Sequence, residues 1–199
     1  GTPGEFSIVA GDARLAALAT TAPATTPPAP PALSAGDRMF VATFGVKRET
    51  YREQPGLRVC ASPCSAAAIN ALLANNPDRV IWVEGNLTLD ASVGDPTTTT
   101  PVLLIVDGDT LALDPGVELY GFVYLVGDTT VAATATVALN GGAASIRGAL
   151  VAEGTLQTST TSSADELAVN YDAVALNVLR TRYGSWVRVG GSWRDFRSP

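Results

Sequence analysis

The residues best suited to chemistry in this sequence are two carboxylates that flank a glycine, in Asp107-Gly108-Asp109. Paired carboxylates act as acid and nucleophile in many polysaccharide hydrolases, and they also bind calcium. The same three residues are typical of a turn between two strands, because they tolerate unusual backbone angles. A similar segment has Glu84-Gly85-Asn86 in the equivalent place, which favours the turn. We therefore predict no catalytic residue and no metal ligand.

The two cysteines, Cys60 and Cys64, are the other reactive pair. The chain has no histidine and no further cysteine, so the pair lacks the usual ligands of a zinc site and the base of a catalytic thiol. A short-range disulfide and two free thiols remain as alternatives. Pro63 favours a turn that brings the cysteines to bridging distance, so we predict a Cys60–Cys64 disulfide.

Other signatures of catalysis are missing from the sequence. It contains no G-x-S-x-G motif, P-loop or dinucleotide fingerprint, and its one lysine, Lys47, lies in a charged stretch. The lack of histidine removes the most common general base. These absences predict a protein that is not an enzyme and uses no cofactor.

The distribution of charge argues against one class of partner. The net charge is −6, and no basic residue occurs between Arg79 and Arg147, although this span holds eight acids. A surface that neutralises phosphates needs clustered cations, so we do not expect the central region to bind nucleic acid. No apolar run approaches the roughly 18 residues that are needed to span a bilayer.

A sequence repeat defines the elements that must position these residues. Val83–Asp90 reads VEGNLTLD and Val106–Asp114 reads VDGDTLALD, and looser copies begin at Leu125 and Val151. Self-similarity at roughly 20 to 30 residues, built from short strands and turns, is typical of a stacked solenoid. We predict a mainly β fold, a short parallel β-helix-like solenoid of about three or four coils with flanking helices. Its strands are expected near 80–84, 102–106, 119–126 and 146–152.

The chain divides into two parts. Residues 1–35 are predicted to be an N-terminal arm, with a short helix over Ser7–Ala19, and a Pro/Thr-rich linker whose prolines favour an extended conformation. Residues 1–6 (GTPGEF) are typical of a cloning remnant. Residues 36–199 are predicted to form a single solenoid domain with a helical entry module and a C-terminal cap. The entry module should contain a helix from Ser65 to Ala74, with Ser65 as its N-cap.

The C-terminal segment Tyr171–Phe196 carries too many aromatic residues for a solvated tail. It combines a predicted helix (YDAVALNVLRTRYG), a strand-like SWVRV and the closing GSWRDF. A fully buried large side chain contributes roughly 1.5–3 kcal/mol. We therefore expect the segment to fold back on the solenoid, with Val187 and Val189 extending a sheet and Trp193 packed against the body.

Three aromatic residues alternate along one predicted strand: Tyr120, Phe122 and Tyr124. Period-two alternation places all three on one face, with Gly121 and Val123 on the other. On the exterior of a solenoid, such a strip could stack on sugars or on a partner subunit, so these residues are a candidate partner-binding surface. Trp82, on a β-branched strand, is expected in the core instead.

The order of motifs along the chain resembles one known family. The motifs are the CASPC pair, VIWVEGNLTLD, TPVLLIVDGDTLAL, VELYGFVYLVGD, IRGALVAEG, NYDAVALNVL and VRVGGSWRDF. Together they resemble the C-terminal ectodomain of PilX-type type IV pilus assembly proteins, which are minor pilins. The resemblance covers about residues 39–196. The family often has a proline before the final GSW, where this chain has Gly190 and Gly191.

The resemblance implies a non-catalytic structural component of type IV pili that supports assembly, or that lies near the fibre tip in contact with surfaces. The implied partners are other pilins or pilus assembly proteins, and surface glycans. The implied location is the bacterial periplasm and cell surface. Family members carry an N-terminal membrane helix, which this sequence lacks, so contact with the membrane is expected only through that helix. The alternative is a carbohydrate-active or glycan-binding β-helix protein.

Overall fold

A computed structural model describes residues 34–127 and 134–182 of the chain. Four helices lie within these ranges: α1 (Ala35–Phe44), α2 (Arg48–Arg52), α3 (Ala66–Asn75) and α4 (Ala173–Arg182). The strands of the larger sheet are β1 (Leu57–Cys60), β2 (Val80–Glu84), β4 (Val102–Asp107), β6 (Glu118–Leu125), β8 (Ala144–Ala152) and β10 (Leu167–Tyr171). Those of the smaller sheet are β3 (Leu87–Leu89), β5 (Thr110–Leu113), β7 (Thr134–Leu139) and β9 (Thr155–Thr160).

The strands form a parallel β-solenoid, as the repeat predicts. The larger sheet has the order β1-β2-β4-β6-β8-β10 and the smaller sheet β3-β5-β7-β9, with parallel pairing throughout both. Each coil contributes one strand to each sheet, beginning with β2 and β3. The strands β1 and β10 extend the larger sheet beyond the predicted limits, to about five turns in all.

The repeat sets the register between coils. Val83 lies beside Val106, and Leu89 beside Leu113, so equivalent positions of the two VxG segments stack directly. In β7, Leu139 continues the Leu89–Leu113 column. Parallel in-register stacking places every second side chain of each strand in one interior core. The equivalent apolar positions of the repeats thus form continuous columns, although the second segment is one residue longer than the first.

Two glycines allow three strands of the larger sheet to approach closely. Gly121 and Gly148 are paired across β6 and β8, and both have positive φ, +148° and +141°. A Cβ on Gly148 would collide with the carbonyl oxygen of Gly121, and a Cβ on Gly121 with that of Val102. No L side chain fits these positions, which explains why glycine interrupts an otherwise bulky strand.

A second apolar cluster lies outside the solenoid, on the outer face of the larger sheet. Phe40 and Phe44 of α1 and Tyr51 of α2 pack there against Trp82 and Tyr124. Trp82 is fully buried, which confirms its predicted place in the core. The two helices therefore cover the sheet from the side, whereas α3 packs against the interior core itself.

The predicted strands agree with the structure to within about two residues at each end. The helix predicted from Ser65 runs over Ala66–Asn75, and the Ser65 hydroxyl accepts a hydrogen bond from the Ala68 N–H as its N-cap. The strands β3, β5, β7 and β9 were not predicted separately. In each repeat this second, short strand begins soon after the first one ends, so the sequence pattern predicts a single strand.

Some predictions fall outside the described residues. These are the helix over Ser7–Ala19, the linker up to residue 33, and the packing of Val187, Val189 and Trp193. Tyr171, the first aromatic residue of the proposed C-terminal cap, is described, and its side chain is 78% exposed. Among the described helices, none is long and apolar enough to cross a membrane.

Candidate functional site

The aromatic strip of β6 lies on the outer face of the larger sheet, as its alternation predicts. Val123, between Phe122 and Tyr124, belongs to the interior core. Tyr120 and Tyr124 are nevertheless buried, and Phe122 is half-buried. Helices of the same chain therefore cover Tyr120 and Tyr124, and the role of these three residues as a partner-binding surface stays a prediction.

Helix α1 covers the end of the strip at Tyr124. The Tyr124 ring lies 5.4 Å from Phe40 and 5.1 Å from Phe44, both in edge-on contacts, and Phe44 meets Phe122 edge-on at 6.4 Å. Tyr51 of α2 packs 4.8 Å from Phe44. Edge-on and tilted pairs use the quadrupoles of the rings in addition to apolar burial. The strip is thus the docking site of the N-terminal helices.

The opposite end of the strip, at Tyr120, is covered differently. The Arg147 guanidinium lies 5.6 Å from the Tyr120 ring, and its Nε donates to Asp172 Oδ2 at 2.7 Å. Asp172 precedes α4, which packs against β6 and β8. Burial raises the pKa of the Tyr120 hydroxyl, and the nearby Asp172 carboxylate adds to that effect. The strip therefore carries a helix at each end.

The carboxylate pair Asp107 and Asp109 lies in a turn, between β4 and β5. The backbone N–H groups of Asp109 and Thr110 donate to Asn86 Oδ1 at 3.0 and 3.1 Å, so the side chain of the preceding coil holds the turn in place. A Cβ on Gly108 would collide with Asn86. The equivalence of the EGN and DGD segments is thus a structural one, in which one turn stacks upon the next.

The predicted disulfide is confirmed. Cys60 and Cys64 are bonded, with their Cα atoms 5.6 Å apart. Cys60 ends β1 and lies in the interior column beside Val83 of β2. The bridge therefore ties the first strand of the stack to the segment that leads into α3.

One carboxylate is buried where the helices meet the solenoid. Glu153 follows β8 and is fully buried. The Arg48 Nη2 group donates to both Glu153 oxygens at 2.7 Å, and the Tyr124 hydroxyl donates to Oε1 at 2.9 Å. Gly36 of α1 packs directly on this carboxylate, where a Cβ would clash. We call Gly36, Arg48, Tyr124 and Glu153 the helix–solenoid junction.

A second ion pair joins α2 to an earlier coil. Arg52, one helical turn after Arg48, contacts Glu84, and its guanidinium lies 5.8 Å from the Trp82 ring. Both side chains of this pair are partly exposed to solvent, in contrast to the buried Glu153. Glu84 and Glu153 each stand directly before a repeat glycine, in VEG and AEG. Two arginines of one short helix thus bind the same repeat position in two different coils.

Burial dominates the electrostatics of the junction. It raises the pKa of Glu153, and the hydrogen bonds from Tyr124 and Arg48 oppose that shift only in part. The pKa of the Tyr124 hydroxyl is raised well above its usual range, chiefly by burial and then by its hydrogen bond to Glu153. Burial raises the pKa of Tyr51 to about 12. Asp37 adds a second carboxylate, 3.9 Å from Arg48, so one cation faces two anions.

Sequence reasoning missed both Arg48 and Glu153. They are 105 residues apart, and Arg48 belongs to no copy of the repeat. The available signal was the repeat itself, since VAEG at Val151–Gly154 has an acid in the place of Glu84 and Asp107. An acid at a repeat position that lies among apolar neighbours needs a counterion. The charged stretch from Lys47 (KRETYR) supplies two arginines before the first strand.

One groove is open on the described surface, with a volume of about 470 Å³, between α3 and the loop at 94–100. Asp95 lies at this groove and accepts hydrogen bonds from the Thr97 N–H and hydroxyl and from the Thr98 hydroxyl, which lower its pKa. Asp95 and Thr100 also exchange two backbone hydrogen bonds. Asp95 therefore stabilises the conformation of its own loop.

The junction brings together groups that hold two parts of the chain to each other. Its carboxylate is already bound by Arg48 and Tyr124. Within 34–127 and 134–182, no group of three or more His, Cys, Asp or Glu side chains is placed to hold a metal ion. Comparison of the chain with protein-family models, curated proteins and solved structures finds no match.

Proposed function

We propose that this chain is a non-catalytic structural subunit of type IV pili, a minor-pilin ectodomain that supports pilus assembly in the bacterial periplasm and at the cell surface. Two facts support the proposal. The motifs over residues 39–196 resemble PilX-type assembly proteins. The described fold is a parallel stack of strands whose aromatic and charged clusters pack against its own helices.

The helix–solenoid junction is the observation that carries the proposal. Helix α1 begins at Ala35, directly after the proline-rich linker. The helices that follow are fastened to one coil through Arg52 and Glu84, and to a coil farther along the stack through Arg48 and Glu153. A force transmitted through the linker would therefore be distributed over most of the solenoid. A subunit that anchors a surface domain to a fibre needs such a connection.

The buried aromatic strip favours assembly over glycan binding. A glycan site of the kind predicted on β6 requires exposed rings, and Tyr120 and Tyr124 are covered by the chain itself. Other pilins or pilus assembly proteins are then the favoured partners. Contact with surfaces near the fibre tip remains part of the proposal and would use other parts of the stack.

Deletion and complementation of the gene in its own bacterium test the proposal. We expect the deletion strain to carry fewer pili in electron micrographs, and wild-type protein to restore them. Arg48→Ala should restore them poorly, whereas Arg147→Ala, which removes a partly exposed ion pair, should restore them fully. An unchanged number of pili in the deletion strain would refute the proposal.

A hydrolysis assay tests the carbohydrate-active alternative directly. The protein is incubated with acidic and with neutral polysaccharides, and new reducing ends are measured. We expect none to be released. Release that is lost in Asp107→Asn would instead establish a β-helix enzyme with its acids in the β4–β5 turn.

A further inference from the structure

The described solenoid ends in one edge strand of each sheet. β9 and β10 are the terminal strands of their sheets, and each is paired on one side only among the described strands. All six residues of β9 are exposed. An edge strand offers a row of unpaired N–H and C=O groups, which is a template for an additional strand.

Apolar side chains of β9 and β10 continue the interior columns of the solenoid. Val169 aligns with Ile146, and Leu156 aligns with Ala135. Ile146 and Ala135 are both buried in the interior core. In earlier coils the next coil covers such residues. Here Val169 is 49% exposed, and Tyr171, in the Gly148 column, is 78% exposed. The interior core thus reaches solvent at this end, which we call the open end and define by Leu156, Val169 and Tyr171.

The charge around the open end favours one kind of binding partner over another. From Gly148 to Leu179 the chain has four acids; Glu153 is paired with Arg48 and Asp172 with Arg147, whereas Asp165 and Glu166 form no ion pair with a described residue. Asp165 and Glu166 directly precede β10. A second copy of the chain, meeting this end with its own, would bring these carboxylates against each other. A basic segment would instead gain favourable contacts and a faster encounter.

We propose that the open end docks an extended segment of a neighbouring protein, with apolar residues at alternate positions and basic residues between them. The segment adds to the larger sheet beside β10, its apolar side chains cover Val169 and Tyr171, and its cations face Asp165 and Glu166. Main-chain hydrogen bonds supply affinity in such strand addition, and the alternate side chains supply specificity. This inference rests on the proposed function only in naming the neighbour as another pilus subunit.

The first test uses synthetic peptides and the full chain. The probe is a labelled peptide that alternates valine and lysine, followed by fluorescence anisotropy. One control peptide has glutamate for lysine, and another has proline for the central valine, which removes a backbone donor. We expect the lysine peptide to bind, and both controls to bind more weakly by at least about tenfold. Equal binding of the glutamate peptide would overturn the proposal.

Matched variants locate the site. Val169→Lys and Tyr171→Lys should each weaken binding by about tenfold or more, and both positions are exposed enough to preserve the fold. Val59→Lys is the control, because Val59 is 46% exposed on β1, at the other edge of the same sheet. An equal loss of binding in Val59→Lys would show that the peptide does not recognise the open end.

Hydrogen exchange distinguishes a neighbour from the chain's own remaining residues. In the free full chain, we expect the amides of Leu167–Tyr171 that are not bonded to β8 to exchange fast, and to become protected by the lysine peptide. Protection already present without peptide would mean that the chain covers its own edge, and would overturn the proposal. Peptide binding in vitro and pilus number in vivo are independent readouts, so failure of one inference does not imply failure of the other.

Discussion

The two ends of the solenoid are built in opposite ways. At the N-terminal end, α3 lies over the interior core with Ile69 and Leu73 buried in it, and the Cys60–Cys64 bridge ties the first strand to this helix. At the C-terminal end, Val169 and Tyr171 occupy interior columns but remain exposed. A solenoid coil buries its apolar face only against a neighbour, so each end requires a cap or a partner. Among the described residues, one end has a helical cap and the other is exposed.

A lateral contact supports the coil next to the open end. Arg48 binds the buried Glu153 in the coil that contains β8 and β9, next to the open end. Near the capped end, Arg52 binds Glu84 in a partly exposed pair. The same helix therefore makes its stronger contact with the coil that has less support along the axis.

Removal of Arg48 is expected to have the largest effect. Arg48→Ala leaves Glu153 buried without its cation, and the loss of one partner of such a pair typically costs about 3–5 kcal/mol. Arg52→Ala is the control and should cost about 1 kcal/mol or less, because its pair is partly exposed. Urea unfolding followed by circular dichroism measures both. Equal losses in the free energy of unfolding would show that the two ion pairs stabilise their coils equally.

Truncation of the helical cap should come next. Ile69→Ala removes a fully buried side chain from the interior core, which should cost about 3 kcal/mol. Val169→Ala at the open end should cost only about 0.5 kcal/mol, because its side chain is half exposed in the free protein. The free energies of unfolding of the two variants compare the ends directly. A large loss in Val169→Ala would mean that the open end is covered in the isolated chain.

Reduction of the disulfide should have a moderate effect at the capped end. The loop between Cys60 and Cys64 is short, so loop-closure entropy predicts a loss on the order of 1–2 kcal/mol. Mass spectrometry without reductant should give a mass two hydrogens below that of the reduced protein. Thermal melts with and without reductant then give the size of the effect. Both thiols freely alkylated in protein isolated without reductant would contradict the prediction.

Acid should change the stability in two opposite steps. The pKa of Glu153 is raised in the fold, so the folded chain binds that proton more tightly, and stability should rise as the pH falls from neutrality toward the usual range of a glutamate, about 4.3. The pKa values of Asp165 and Asp172 are lowered by hydrogen bonds. Their contribution is present above the usual range of an aspartate, about 3.9, and is lost as the pH falls below it.

Thermal melts across this pH range measure the two steps, and we expect this to be the smallest of the four effects. Glu153→Gln should abolish the rise and keep the loss in stronger acid. Because Asp165 and Asp172 flank β10, hydrogen exchange in acid should increase at β10 before it increases at β2. A rise in stability that persists in Glu153→Gln would assign the first step to another group.

Much of the fold could be predicted from local spacing. The VEGNLTLD and VDGDTLALD repeats place equivalent residues side by side, and the register of Val83 with Val106 follows directly. Ser65 marked the start of α3, and the cysteine spacing allowed the disulfide. These features depend on residues within one turn, one strand or one repeat, where backbone geometry alone limits the outcome.

The exposure of the aromatic strip could not be predicted in the same way. Alternation determined that Tyr120, Phe122 and Tyr124 share the outer face, because side chains alternate across a strand. Only the tertiary structure decided that this face is covered, since α1 lies some eighty residues earlier in the chain and docks through Phe40 and Phe44. Exposure depends on what packs against a face, and that partner can come from anywhere in the sequence.

The sequence by itself thus determined the repeating backbone, the faces of its strands and the cap at one end. Only the tertiary structure brought Arg48 to Glu153 across 105 residues and placed Val169 and Tyr171 at the exposed end of the described strands. The physical reason is the range of the interactions. Strand geometry and turns act between neighbours, whereas the burial of a charge or an apolar edge is decided by contacts between distant parts of the chain.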